Sequence, residues 1–274
     1  MPNIRLISKI VFTCLMAAPL PALAHEFWLQ AQDYTLETGQ KLRAEIRVGQ
    51  GFKGNEYSYN PEQFYEFALT DSHGKTPIEG RIGDMPAVEI IPKNDGLIVL
   101  NHFSTSQRLI YQDAEKFVSF LENKGLDWVL AKHRERGLPA VGFKEGYTRF
   151  AKSLIAVNGG AGQDAPTGMH FELVALANPY TDDLTDGLPV QLLWQGQGLA
   201  DIQIDVFHKS DSVETTKIHV KTDADGRAII PVQMPGEYLV NAVHMIIPFA
   251  KDIERTGTVW HSLWASLTFE IINP

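Results

Sequence analysis

The feature that most constrains the fold is a series of short, alternating apolar segments separated by turn residues. Beyond residue 166 such segments recur at 171–176, 190–194, 202–208, 215–220, 228–232, 237–244 and 263–272. Alternation with a period of two predicts strands with one buried face, and about seven short strands in roughly 100 residues are typical of an immunoglobulin-like sandwich. We therefore predict an immunoglobulin-like β-sandwich for the C-terminal half.

The N-terminal half has a similar strand pattern, interrupted by two helical segments. Apolar and alternating segments predict strands at 27–32, 41–48, 63–69, 88–91 and 96–100. Asp113 is a predicted N-cap of a first helix, and Asp127 is a predicted cap of a second helix that runs to Arg136 and ends before Gly137. The Tyr- and Asn-rich segment 55–61 predicts an exposed loop. The predicted fold class is thus mostly β: two β-sandwich domains, with a short helical hairpin inserted in the N-terminal one.

A glycine-rich segment divides the chain. Residues 158–166 read Asn-Gly-Gly-Ala-Gly-Gln-Asp-Ala-Pro and lack the Gly-Lys-Ser/Thr ending of a phosphate-binding loop. This composition indicates a linker. The predicted divisions are a signal peptide at 1–24, an N-terminal domain at 25–157, the linker at 158–166 and a C-terminal domain at 167–274.

The first 24 residues have the pattern of a secretory signal peptide. Arg5 and Lys9 precede an apolar segment at 10–20, and Ala22-Leu23-Ala24 matches the small residues that signal peptidase accepts. The apolar segment is about half the length of the roughly 20 residues that a membrane span needs. We expect export to a bacterial periplasm, cleavage after Ala24 and no stable membrane insertion after processing.

Charge and cysteine content exclude several function classes. The formal charge is −9 over 274 residues, and removal of 1–24 takes away only Arg5 and Lys9, which leaves −11. An acidic protein is a poor partner for nucleic acid. Cys14 is the only cysteine and lies in the signal segment, so a processed chain has no disulfide, thiolate ligand or cysteine nucleophile. We expect a monomer without a nucleic-acid partner.

Cleavage after Ala24 makes His25 the first residue of the processed chain. A free α-amine has a pKa near 8 and an imidazole one near 6.5, so both are available as nitrogen ligands close to neutral pH. Together they chelate one ion, and nickel, cobalt, copper and zinc suit such ligands. The alternative is that His25 follows the cleavage site by chance.

Three further histidines are candidate metal ligands. His244 ends an apolar strand, His261 lies at the start of the last strand, and His102 ends another apolar strand. Each is also compatible with a hydrogen-bonded core histidine. The sequence contains no His-x-His and no His-Glu-x-x-His, so spacing alone does not establish a site.

Several stretches resemble a periplasmic family known as domain of unknown function family 4198. They are His25–Trp28, Val48-Gly49 with Phe52, Tyr147–Leu154, Asn178-Pro179, Thr222–Arg227, Tyr238–Val240 with His244, and Trp264–Glu270. The C-terminal half also resembles carboxypeptidase-regulatory-like sandwich modules, through Thr222–Gly226 and Gly236–Tyr238. The family resemblance implies an exported protein associated with nickel and cobalt uptake, with His25 and His244 as the best-matched candidate ligands.

These observations lead to one principal hypothesis and two alternatives. The principal hypothesis is a non-enzymatic periplasmic protein that binds nickel or cobalt, with copper or zinc as other candidates. It would pass the ion to a membrane importer or an outer-membrane receptor system. His25 and His244 would bind the ion, with His261 or His102 as a further ligand. The alternatives are a copper enzyme that oxidises a polymer, and a metal-free carbohydrate-binding or adhesion module.

Overall fold

The computed structural model describes residues 25–210 and 213–272, so the predicted signal peptide at 1–24 lies outside the described residues. The strands in the N-terminal half are β1 Glu26–Ala31, β2 Thr35–Leu36, β3 Leu42–Gln50, β4 Lys53–Tyr57, β5 Phe64–Asp71, β6 Gly74–Pro77, β7 Val88–Ile90, β8 Gly96–Ser104, β9 Gln107–Ile110 and β10 Lys144–Val157. Those that follow are β11 Phe171–Ala175, β12 Leu188–Trp194, β13 Gln197–Gly198, β14 Gln203–Ser210, β15 Val213–Lys221, β16 Arg227–Ile230, β17 Gly236–Ile246 and β18 Thr258–Ile271. The helices are α1 Ala114–Asn123, α2 Asp127–Glu135 and α3 Ala250–Thr256, with a 3-10 turn at Pro61–Gln63.

Three sheets organise these strands. The N-terminal sheet contains β1, β3, β4 and β7, and the C-terminal sheet contains β11, β12, β13 and β16. Between them lies the central sheet, with the order β15-β14-β17-β18-β10-β8-β5-β6 and with β2 and β9 also paired to β10. The central sheet therefore takes strands from both sides of the predicted linker. The two halves join at β10 and β18, which pair in parallel from Lys144 and Thr258 onward.

Alternating side chains on the central sheet build two opposite cores. On β18, Leu263, Ala265 and Leu267 belong to the core that packs against the C-terminal sheet. Trp260 and Trp264 alternate with them and pack under α1 and α2 on the other face. That face also carries the core beneath the N-terminal sheet. The result is two sandwiches that share their middle layer.

The predicted mostly β sandwich fold is confirmed. In the C-terminal half, two facing antiparallel sheets match the predicted immunoglobulin-like arrangement. The helical hairpin is also present, and the Asp113 side chain accepts a hydrogen bond from the Glu115 backbone N–H at the start of α1. The predicted Asp127 cap is wrong, because Asp127 is already the first residue of α2 and the N-cap position is held by Leu126, which makes no side-chain cap hydrogen bond. The predicted loop at 55–61 is wrong in its first part, because β4 extends to Tyr57. No helix in the described part of the chain is long and apolar enough to cross a membrane.

The glycine-rich segment 158–166 makes specific contacts with both halves. The backbone N–H of Leu97 donates to the Ala161 carbonyl, and the Asn178 amide donates to the carbonyls of Gly160 and Gly162. Asp164 accepts from the buried ammonium of Lys152. These contacts hold the segment against the central sheet, while its role as a domain boundary stays a prediction.

A buried carboxyl group under the helices predicts a measurable pH dependence. Glu145 is fully buried, and burial raises its pKa from 4.5 to about 7, although Ser262 donates it a hydrogen bond. Between these two values the folded chain keeps a proton that the unfolded chain has released, so stability falls as the pH rises through this range. We expect Glu145→Gln to raise the free energy of unfolding at pH 8 by up to about 3 kcal/mol.

Urea unfolding at pH 4 and pH 8 tests this expectation. At pH 4 both the wild type and the variant carry a neutral group at position 145, so their stabilities should be similar. A gain of equal size at both pH values would mean that the charge of Glu145 is not the cause.

Candidate functional site

A cavity of about 860 Å³ lies between the N-terminal sheet and the central sheet. Strands β3 and β4 form one wall, and β8 and β10 form the other. We call it the inter-sheet cavity. Its lining mixes aromatic rings with side-chain amides, and it includes His25, His102 and Arg149. This volume is in the range of sites that take small molecules, roughly 300–1,000 Å³.

The β3–β4 hairpin shapes the outer wall of the cavity. Gln50 pairs with Lys53, and the two residues between them have positive φ values, 62° at Gly51 and 60° at Phe52. Such a turn twists in the same sense as the strands, and it favours glycine. Phe52 accepts this conformation because its ring is buried edge-on against Trp28, with 5.5 Å between ring centroids.

A buried group of charges fixes the beginning of β1. The Glu26 carboxylate lies 2.7 Å from Lys124 Nζ, which also lies 2.8 Å from Asp205. The other Glu26 oxygen accepts from the Gly51 backbone N–H. All three charged side chains are almost fully buried, so each depends on its partners. His25 is therefore attached directly to an immobilised residue.

His25 and His102 lie on the walls of the same cavity. Phe27, Leu29 and Ala31 share one face of β1, and strand alternation places His25 on that face, about 7 Å along the strand from Phe27. The Phe27 ring contacts the His102 ring, with 4.9 Å between centroids. The residue two positions after His25 is thus in direct contact with His102.

His102 is neutral and has an unused nitrogen. Its ring is 3% exposed and is enclosed by Phe27, Phe64 and Phe67. Burial, reinforced by the positive charge of Arg149, lowers the pKa of His102 to about 3. Its buried Nδ1 has no hydrogen-bond partner among the described residues. A neutral imidazole is the form that binds metals.

Arg149 brings a positive charge to the same cavity. Its guanidinium lies over the rings of Tyr147 and Phe27, with 4.8 and 5.6 Å from Cζ to the ring centroids. Burial lowers its pKa, but an arginine stays charged in proteins. Within residues 25–210 and 213–272, its buried Nε has no hydrogen-bond partner and no carboxylate forms an ion pair with it.

His244 and His261 lie on the opposite face of the central sheet. His244 is in phase with Val240 and Ala242, and His261 is in phase with Leu263 and Ala265, all facing the C-terminal sheet. His244 packs against Trp194 at 4.8 Å between ring centroids, and burial lowers its pKa to about 4. His261 Nε2 lies 2.8 Å from Thr148 Oγ1. A hydrogen-bonded His261 has an evident packing role.

The structure therefore divides the four predicted ligands into two pairs. His25 and His102 share the inter-sheet cavity. His244 and His261 lie on the other face of the central sheet, where they are diagonal neighbours on the paired strands β17 and β18. In the described part of the chain, no group of three or more His, Cys, Asp or Glu side chains is placed to hold a metal ion. A metal site at His25 therefore needs a donor other than a third His, Cys, Asp or Glu side chain.

Arg149 is the cavity residue that sequence reasoning missed. It lies in the stretch 147–154 that resembles the family, but the resemblance implies no role for it. The available signal was a charge inside an apolar strand, in phase with the buried residues Ala151 and Ile155. A charged residue at an inward-facing position usually has a partner or a ligand.

Comparison with known proteins gives a family match and several weak structural similarities, of which two follow. A tetra-tandem repeat in the extending region of a large adhesion protein is 12% identical, with a TM-score of 0.21 and with 90% of this chain and 49% of that chain covered. This chain thus spans about half of that structure. The D0-D1 domain of intimin is 10% identical, with a TM-score of 0.20 and coverages of 88% and 96%. Scores this low carry no argument.

No curated protein matches the chain. A family described as "Domain of unknown function (DUF4198)" matches residues 22–246. The matched range includes every strand and helix that lines the inter-sheet cavity.

Proposed function

Because the chain belongs to the DUF4198 family, whose description names no activity, we propose its function from the inter-sheet cavity. The protein binds one divalent transition-metal ion through His25 and His102. It is exported to the periplasm and gives the ion to a membrane importer or receptor system. It has no catalytic role of its own.

The observation that carries this proposal is the presence of His25 and His102 on one cavity, with His102 neutral and its Nδ1 unused. After cleavage at Ala24, His25 supplies two donors, the α-amine and its own imidazole. His102 supplies a third nitrogen from the facing wall. Two residues thus provide three donors, so the site does not require a third metal-binding side chain.

The donor set favours particular metals. The cavity lining contains no cysteine, aspartate or glutamate among the described residues, so the histidine nitrogens are its best ligands for a transition metal. Imidazole suits nickel, copper, zinc and cobalt, whereas calcium and magnesium require oxygen ligands. His244 and His261 are outside this ligand set, because the central sheet separates them from His25.

Titration of the exported, processed protein with nickel, cobalt, copper and zinc tests the proposal. We expect His102→Phe to weaken binding of the preferred ion at least tenfold, and the aromatic surroundings of His102 accept a phenylalanine. His244→Phe is the matched control, since it also replaces an imidazole that packs on aromatic rings, and it should leave affinity unchanged. Equal weakening in both variants, or in neither, would contradict the two-histidine site.

A copper enzyme remains a second candidate for one specific reason. Three nitrogens at the wall of an open cavity leave positions on the ion that face the cavity, where a co-substrate fits. Copper-dependent consumption of peroxide with oxidised glycan products would favour this function over metal delivery. Its absence in protein loaded with copper would favour delivery.

A further inference from the structure

The charge of the inter-sheet cavity is opposite to that of the protein. The whole chain has a formal charge of −9. Among the described residues, the cavity lining contains Arg149 and Lys53 and no acidic side chain. Lys53 is mostly exposed and lies 3.9 Å from Glu214 at the rim. A locally positive cavity in an acidic protein attracts anions.

Arg149 brings a charge into this cavity that has no ion-pair partner in the described part of the chain. Its Nε is buried without a hydrogen bond, and in the described chain no carboxylate approaches the guanidinium within ion-pair distance. The rings of Tyr147 and Phe27 hold it in place. A charged group at an inward-facing position usually has a partner or a ligand, and a guanidinium binds a carboxylate through two parallel hydrogen bonds.

The rest of the lining matches an organic molecule. An apolar surface is provided by Phe27, Phe64, Ile46 and Val48. The polar groups around it are the side-chain amides of Asn55, Gln63 and Gln107. Apolar walls with a few placed polar groups are characteristic of small-molecule sites. A bare inorganic anion would make no use of the aromatic surface.

We propose that the inter-sheet cavity binds a small organic carboxylate, with the Arg149 guanidinium as its recognition group. Binding at Arg149 does not require a metal. A chelating carboxylate held there would also supply oxygen ligands to an ion on His25 and His102, so that metal and carboxylate enter as one complex. This last step, unlike the anion site itself, rests on the proposed function.

The anion site is tested on metal-free protein, treated with a chelator that is then removed. The probes are acetate, malate, citrate and glutamate, with inorganic phosphate as the inorganic comparison, and binding is measured by calorimetry and by the shift in melting temperature. We expect at least one carboxylate to bind and Arg149→Met to weaken it at least tenfold. Arg149→Lys keeps the charge but loses the two-pronged contact, so it should have intermediate affinity.

Arg136→Met is the matched control. Arg136 also lies over an aromatic ring, that of Trp260 at 4.7 Å, but it is outside the cavity lining. Its loss should leave carboxylate binding unchanged. Binding that is insensitive to both Arg149 variants, no binding of any probe carboxylate, or phosphate binding as tight as the best carboxylate would each overturn the proposal.

Two variants separate this proposal from the metal site. His102→Phe should keep carboxylate binding to the metal-free protein, and Arg149→Met should keep metal binding in carboxylate-free buffer. Failure of the metal site alone therefore leaves the anion site intact. If the wild type binds metal no more tightly with the best carboxylate than without it, the joint complex is contradicted.

Discussion

One glycine inserted between Ala24 and His25 should weaken the binding of cobalt and zinc, which do not displace a peptide proton near neutral pH, by at least about 100-fold. The insertion turns the α-amine of His25 into a peptide nitrogen, so the chelate with the imidazole is lost while every residue of the fold is kept. Loss of a group that only orients a metal ligand already weakens binding roughly 10- to 100-fold. Removal of a donor itself should cost no less.

The Ala22-Leu23-Ala24 pattern is unchanged by this insertion, and mass spectrometry of the purified protein establishes which residue comes first. The matched control is a glycine inserted after Gly196, in the exposed turn between β12 and β13, which should not alter affinity. Calorimetric titration of the three proteins provides the measurement. Affinity that does not respond to the added glycine would remove the amine from the site.

Replacing Lys152 by methionine should lower the free energy of unfolding by about 3–5 kcal/mol, the cost of leaving buried charges without their partner. Lys152 is fully buried, and its ammonium lies 2.6 Å from Asp164 and 3.7 Å from Glu172. Those two carboxylates would remain buried together. Their other hydrogen bonds come from the Thr167 hydroxyl and from backbone N–H groups of Ala165, Thr167, Gly168 and Ala175, and none of these donors supplies a positive charge.

Urea unfolding at neutral pH measures this loss. Lys132→Met is the matched control, because it removes an exposed ion pair with Glu135. Exposed pairs contribute about 0–1 kcal/mol, so this variant should remain near the wild type. Similar losses in the two variants would mean that the Lys152 cluster has no special role in joining the segment 158–166 to the central sheet.

Local signals in the sequence predicted most of the elements. Alternating apolar residues mark the long strands, and the Asp113 cap marks α1, because these features depend only on neighbours in the chain. Strand β4 was missed because Lys53–Tyr57 is polar, and its pairing with β3 depends on the turn at Gly51. Helix α3 was missed because none of its residues is buried.

The candidate site was predictable only in part. His25 and His102 were both identified from their positions in the sequence, but their partnership was not. Alternation of apolar residues shows which side chains share a face of one strand. It does not show which of the two neighbouring layers that face packs against. The strands β17, β18 and β8 belong to the same central sheet, and only this arrangement shows that His244 and His261 lie on the opposite face from His102.

The parallel contact between β10 and β18 also bears on the order of folding. Lys144 on β10 pairs with Thr258 on β18, which lies much later in the chain. The central sheet therefore stays incomplete until the ribosome has synthesised β18. Contacts so distant in sequence form slowly, and β10 presents an unpaired edge in the meantime. The N-terminal half of the nascent chain therefore needs protection from self-association. A truncation that removes β18 should make the N-terminal sandwich as prone to aggregation as the C-terminal one.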